Sequence, residues 1–189
     1  VNSIIGIDYY QKDKKLLGTP YSQLLKFMFT LKNTFRITET TTLATRVQLG
    51  AVWTYGNSRY APYSELFYVG GANSVRAFAV RSIGPGSYQD REGRGTYLDQ
   101  AGDMKFELNA EYRFPIVNAL QGAFFIDAGN VWLMREDAAH PGGKFRFSRL
   151  LKDMAVGTGL GVRYDLEFLI LRLDLGIGIH APYDTGKSG

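Results

Sequence analysis

The chain contains no cysteine and only two histidines, His140 and His180. The first absence removes disulfides, thiolate metal sites and cysteine nucleophiles. The second leaves almost nothing from which to build a histidine metal centre or a Ser-His-Asp triad. No apolar run approaches the ~20 residues of a transmembrane helix, but spanning strands, which need only ~9–11 alternating residues, stay open. The formal net charge of +4 is modest and the basic residues form no run, so nothing motivates a nucleic-acid partner. Proline is scarce, at 6 residues, whereas glycine (22), tyrosine (12) and phenylalanine (12) are abundant among the 189. That balance favours β structure with many tight turns. No initiator methionine or signal peptide precedes Val1, so a mature fragment of a longer product is expected.

The dominant pattern has period two. From Lys105 to Phe114 one face holds Phe106, Leu108, Ala110, Tyr112 and Phe114, and the other Lys105, Glu107, Asn109, Glu111 and Arg113. Pro115 is expected to close this strand. Met154–Phe168 alternates in the same way, with Gly157, Gly159, Gly161, Arg163, Asp165 and Glu167 on its polar side. Leu169–His180 follows, its leucines and isoleucines opposed by Arg172, Asp174, Gly176 and Gly178. "SQLLKFMFTLKNTFRI", "TLATRVQLGAVW", "SELFYVGG" (64–71) and "AFFIDAGNVW" (123–132) also read as strands, and "SIIGIDYYQ" as a weaker one.

A soluble sandwich and an outer-membrane barrel both produce such alternation. These strands exceed the ~5–6 residues usual in soluble sheets. Several apolar faces end in Tyr, Phe or Trp, as an interfacial girdle requires. The polar faces mix both charge signs with glycines, which suits a lumen that holds an inserted segment. The connection near Glu167 is tight, while Gly70–Asp103 and Leu133–Lys152 are long. Short turns on one side and long loops on the other are the barrel's signature. The expected class is all-β, an antiparallel transmembrane barrel.

One long loop is odd. In "FYVGGANSVRAFAVRSIGPGSYQ" an arginine stands between apolar residues, framed by Gly70 and Gly71 on one side and by Gly84 and Gly86 on the other. These glycines are candidate hinges. The residues alone leave Arg76 open as a solvated loop side chain, like Arg81. However, "GGANSVRAF", "LNAEYRFPI" and "AFFIDAGNVW", in that order, resemble the C-terminal barrel of the BamA/TamA superfamily, the POTRA-barrel surface antigens.

In that family a long loop folds into the lumen, and the arginine of a Val-Arg-Gly-(Phe/Tyr) motif at its tip meets acidic groups on the inner wall. The motif falls on Val75, Arg76, Ala77 and Phe78, within a lumen-inserted loop of about 70–103. The implied partners are Glu111 and Asp127. An enclosed arginine, a planar fork of donors that stays charged, would require such partners. Ala77 stands where the family has glycine, which would strain a left-handed backbone. The resemblance further implies the C-terminal half of a sixteen-stranded barrel, with the N-terminal strands, the POTRA domains and the last strand absent.

Function follows from the same resemblance. It implies a non-enzymatic factor, integral to the outer membrane, that assembles, inserts or translocates outer-membrane proteins. Its partners would be membrane lipid, unfolded outer-membrane proteins and accessory assembly proteins, with no nucleic acid and no cofactor. A dedicated secretion pore, a passive channel or structural barrel, and a soluble ligand-binding β-protein are the alternatives. "GKS" at 186–188 lacks the earlier glycine of a phosphate loop, Ala181 standing there. The glycines of "GTGLG" (157–161) share one strand face, which points to close packing rather than a nucleotide. No residue is assigned a catalytic or metal-binding role.

Overall fold

The computed structural model describes residues 15–16, 19–56, 58, 60–89 and 100–183. The weak strand expected at the start of the chain and the "GKS" tail lie outside them. β1 (Lys15–Leu16) and β2 (Thr19–Pro20) form a small ladder of their own. The remaining strands are β3 (Gln23–Arg36), β4 (Thr42–Tyr55), β5 (Met104–Val117), β6 (Leu120–Trp132), β7 (Ala155–Asp165) and β8 (Ile170–His180). They pair in sequence order as one six-stranded antiparallel meander. Among the described residues this sheet is not closed, since β3 and β8 are its edges.

The connections alternate as the sequence predicts. β3–β4, β5–β6 and β7–β8 are joined by tight turns, two of which place a non-glycine residue at positive φ, Asn118 at 47° and Glu167 at 67°. The β4–β5 and β6–β7 connections are long. Two expectations are corrected. Pro115 does not end its strand: β5 runs on to Val117 across a register shift between Pro115 and Val117. Residues 64–71 are not a strand but a 3-10 turn (Tyr63–Glu65) followed by extended chain held by a single bridge, Phe67 to Gly102. Their alternation arises because Phe67 and Val69 are buried in the core, not because the segment belongs to a ladder.

The two faces of the sheet differ in kind. The outer face is a continuous apolar surface left exposed, including Phe27, Phe29, Trp53, Phe124, Leu160, Leu173 and Leu175. Patches this large mark contact with lipid or protein. Tyr55 and Trp53 sit at the long-loop end of that face, and Phe35, Tyr112 and Tyr164 towards the tight turns. The inner face carries the charged and small residues, and the core lies between it and the β4–β5 loop. Val52 of β4, Val131 of β6 and Ala155 meet Phe67, Val69, Val75 and Ile83 of the loop, all buried. The loop therefore takes the place of a second sheet. It emerges beside the β6–β7 connection, where Gly86 N donates to Val131 O at 2.7 Å and Ser87 N to Gly142 O at 3.2 Å.

If the outer face meets hydrocarbon, Leu160→Arg, at mid-strand on β7, is expected to destabilise the protein by ~2–4 kcal/mol. Gln48→Arg, on the inner face, is expected to cost under ~1 kcal/mol by comparison. Urea unfolding of the full-length protein in lipid vesicles would check the pair, and equal effects would remove lipid from the outer face.

Candidate functional site

The β4–β5 loop turns back on itself inside the curl of the sheet. Gly71 N donates to Phe78 O at 2.8 Å and Arg81 N to Val69 O at 3.0 Å, which closes the two limbs. The tip between them is held by Ser74 N donating to Gly71 O and Phe78 N to Val75 O. Gly70, Gly71, Gly84 and Gly86 all have positive φ, at 104°, 93°, 85° and 56°. At Gly70 a β-carbon would also run into the carbonyl of Ala79 across the hairpin, so both backbone conformation and space favour glycine there. Ala77 is not among the positive-φ residues, so the strain that alanine would suffer in a left-handed conformation does not arise.

Arg76 is enclosed, its side chain retaining 8% exposure. Its Nε and Nη2 reach the two oxygens of Asp127 at 2.7 and 2.9 Å, a fork-on-fork pair, and its backbone N–H donates to the same carboxylate at 3.1 Å. Nη1 donates to Glu111 at 2.5 Å and lies 3.5 Å from Asp174. The guanidinium lies 3.6 Å from the centroid of the Phe125 ring, over its face. Burial works to lower its pKa, but the hydrogen bonds to Asp127 and Glu111 outweigh that and hold it above its ordinary value.

The register explains the convergence. Asn109 pairs with Asp127 and Glu111 with Phe125 across β5–β6, and both pairs point inward. The next strands bring Gly159 opposite Phe125 and Gly176 opposite Gly159. Arg163 of β7 then bridges Glu111 at 2.8 Å and Asp174 at 2.7 Å. Arg113 adds a contact to Glu111 and Arg172 one to Asp174. Asn109 donates to Asp127 and to the carbonyl of Ser74, and the Ser74 hydroxyl bonds Glu107. Carboxylates from β5, β6 and β8 thus converge on one loop arginine, which requires the sheet to curl around the tip.

The glycines of β7 and β8 form the bed beneath the tip. A β-carbon on Gly176 would lie 3.1 Å from Ala77 N and Cα, and one on Gly178 would lie 3.2 Å from the Phe78 ring. One on Gly157 would crowd the Ala77 β-carbon, and one on Gly159 the Phe125 ring, each at 2.5 Å. The role of "GTGLG" is therefore steric.

Sequence reasoning missed Asp174 and Phe125 at this site. Asp174 faces inward by alternation, but its approach to Arg76 depends on the β7–β8 register, which carries no local mark. Phe125 shares the polar face with Asp127, and that break in the pattern was its only signal. Among the described residues no cluster of His, Asp and Glu could hold a metal. The arrangement fastens the loop tip to the inner wall through charge-assisted hydrogen bonds.

An Omp85 superfamily domain matches residues 13–188. The chain belongs to the Omp85 superfamily. It is 31% identical over 123 residues to the outer membrane protein assembly factor BamA of Neisseria meningitidis serogroup B (strain ATCC BAA-335 / MC58), covering 61% of this chain and 15% of that protein. Its fold is similar to the crystal structure of BamA from Haemophilus ducreyi lacking POTRA domains 1-3, with a TM-score of 0.66 at 17% identity over 94% of this chain and 37% of that one. The chain therefore spans a minor part of the relatives it matches.

Gly176→Val is expected to lift the loop tip, because the new side chain meets loop backbone rather than a flexible end. Overpacking of this kind costs ~1–3 kcal/mol. Leu175→Val, the outward neighbour, should change stability by less than ~1.5 kcal/mol. Thermal unfolding of the full-length variants measures the difference, and equal shifts would show that the tip does not rest on the glycine bed.

Proposed function

We propose that the chain is the loop-bearing part of an outer-membrane barrel that assembles or inserts other outer-membrane proteins, or passes them through, without catalysing a covalent reaction. The strands belong to a larger barrel, completed by strands beyond the two open edges, and the loop of about 70–103 occupies its lumen. Val75, Arg76, Ala77 and Phe78 anchor that loop, Glu111 and Asp127 receive the arginine, and Gly70, Gly71, Gly84 and Gly86 form its bends. The partners are membrane lipid, unfolded outer-membrane proteins and accessory assembly proteins.

The observation that carries this reading is the seat of Arg76. A passive channel keeps its lumen open to water, whereas here a loop crosses the inner face, fastened to strands on both sides. Kinship with an assembly factor supplies the class of substrate. No energy source is required where the inserted barrel is the more stable product. An exposed strand edge offers the substrate a template for backbone pairing.

Depletion of the parent gene, followed by quantitation of all outer-membrane barrels, tests the proposal. Many unrelated barrels are expected to fall together. Arg76→Glu is expected to fail as a rescue, since it sets a fourth carboxylate among three, and Arg76→Glu with Asp127→Arg to recover part of the loss. Loss of a single secreted protein would instead mark a dedicated exporter, and unchanged barrels would refute the assembly reading.

A further inference from the structure

The inner face has two corners where cationic side chains face one another across neighbouring strands, and they are treated differently. Arg163 of β7 is in register with Arg172 of β8. Carboxylates neutralise that pair: Asp174 lies 2.7 Å from Arg163 and 3.1 Å from Arg172, and Glu111 is 2.8 Å from Arg163. Lys32 of β3 is likewise in register with Arg46 of β4, and both point inward. Like charges directly opposite each other destabilise a sheet.

Among the described residues no carboxylate forms an ion pair with either. Arg46 donates only to neutral oxygens, the side-chain carbonyl of Asn109 and the backbone carbonyl of Asn73. Lys26, three inward positions earlier on β3, has found Glu65 at 3.2 Å. Among the described residues Arg36, the last inward position of β3, likewise has no ion pair, so the lack of a partner marks the tight-turn end of that strand rather than its whole inner face.

That corner opens into a cavity of ≈ 270 Å³ beneath the loop tip, bordered also by Arg113, Arg172, Asn73 and Glu111. Arg113 is 41% exposed and Arg172 38%; each gives a carboxylate only its Nε, and Arg172 Nη2 donates to the neutral oxygens Ala72 O and Asn73 Oδ1 at 2.7 and 3.4 Å. The cavity lies towards the tight-turn end of the strands, since Arg46 is near the start of β4, Arg113 near the end of β5 and Arg172 near the start of β8. In an outer-membrane barrel the short turns face the periplasm. Lipid headgroups contact the opposite face of the sheet and do not reach this one. A polypeptide arriving from the periplasm does.

We propose that the Lys32–Arg46 corner is an anion subsite that takes the carboxylates of an acidic polypeptide segment entering from the tight-turn side, with Arg113 and Arg172 as its flanking donors. The inference rests on the protein-handling function above and adds a chemical preference to it. Guanidinium and ammonium donors at the mouth of a low-dielectric lumen hold a carboxylate by charge-assisted hydrogen bonds. The seat of Arg76 lies beside the same cavity, so an acidic segment there also meets the loop tip.

The test uses the full-length protein in detergent, a fluorescent decapeptide of alternating Asp and Gly, and the same peptide with Asn for Asp. The Asp peptide is expected to bind at least about tenfold more tightly than the Asn peptide and to weaken as salt rises. Lys32→Glu, at an exposed position without a described hydrogen bond or ion pair, is expected to weaken the Asp peptide by about tenfold or more, with unchanged heat-modifiable migration as the check on folding. Arg46→Gln should act in the same direction.

Equal binding of both peptides, indifference to Lys32→Glu, or no binding by the native protein would overturn the proposal. Displacement of the Asp peptide by inorganic phosphate at equal charge would overturn its polypeptide part. Failure of the assembly reading shows elsewhere, as unchanged barrel levels on depletion. Failure of this inference shows as a peptide that ignores Lys32→Glu.

Discussion

A charged guanidinium withdrawn from water must be paired, and Arg76 organises much of this structure through that requirement. Removing one partner from a buried ion pair typically costs ~3–5 kcal/mol. Here the arginine is met by Asp127 and Glu111, with Asp174 slightly farther off. Each carboxylate is in turn contacted by another group, Asn109 for Asp127, Arg113 and Arg163 for Glu111, and Arg163 and Arg172 for Asp174. Loss of Arg113 or Arg172 leaves Glu111 and Asp174 still paired with Arg163, whereas loss of Arg76 takes a partner from all three carboxylates at once. The network is therefore a clasp with several fingers. Its geometry depends on register across β5–β8 rather than on any one strand.

The loop and the sheet solve each other's problem. A sheet with an apolar outer face for lipid must turn its polar face inward, where charges need partners and space must be filled. The loop supplies the fill with Phe67, Val69, Val75 and Ile83 and the positive charge with Arg76. In return the glycines of β7 and β8 leave room for Ala77 and Phe78. The small size of those residues and the bulk of the loop tip are complementary, so a change on either side is felt on the other.

The strands were legible in the sequence because alternation of period two survives wherever one face meets hydrocarbon and the other a polar interior. Loop lengths were legible for the same reason. Residues 64–71 misled because burial against a wall can space apolar residues by two without any ladder. Pro115 misled because a register shift absorbed it near the end of β5. Placing Glu111 inward needed only alternation. Placing Asp127 beside Arg76 needed a family resemblance, and Phe125 on the same face obscured it until the ring proved to be the surface on which the arginine lies. Asp174 was hidden because contacts between distant strands are written in register, which no local pattern encodes.

The absence of cysteine gives the most direct test of the central claim, that the loop tip is seated on the inner wall. Ala77→Cys with Gly157→Cys would introduce the chain's only thiols, at positions whose β-carbons would approach to 2.5 Å, so a shift of the tip by roughly an ångström brings them to disulfide spacing. In the full-length protein in intact cells, oxidation is expected to join them efficiently, and the added change Arg76→Glu to reduce that yield severalfold. A pair that joins no better than Ala77→Cys with Leu160→Cys, whose side chain points out of the sheet, would contradict the account.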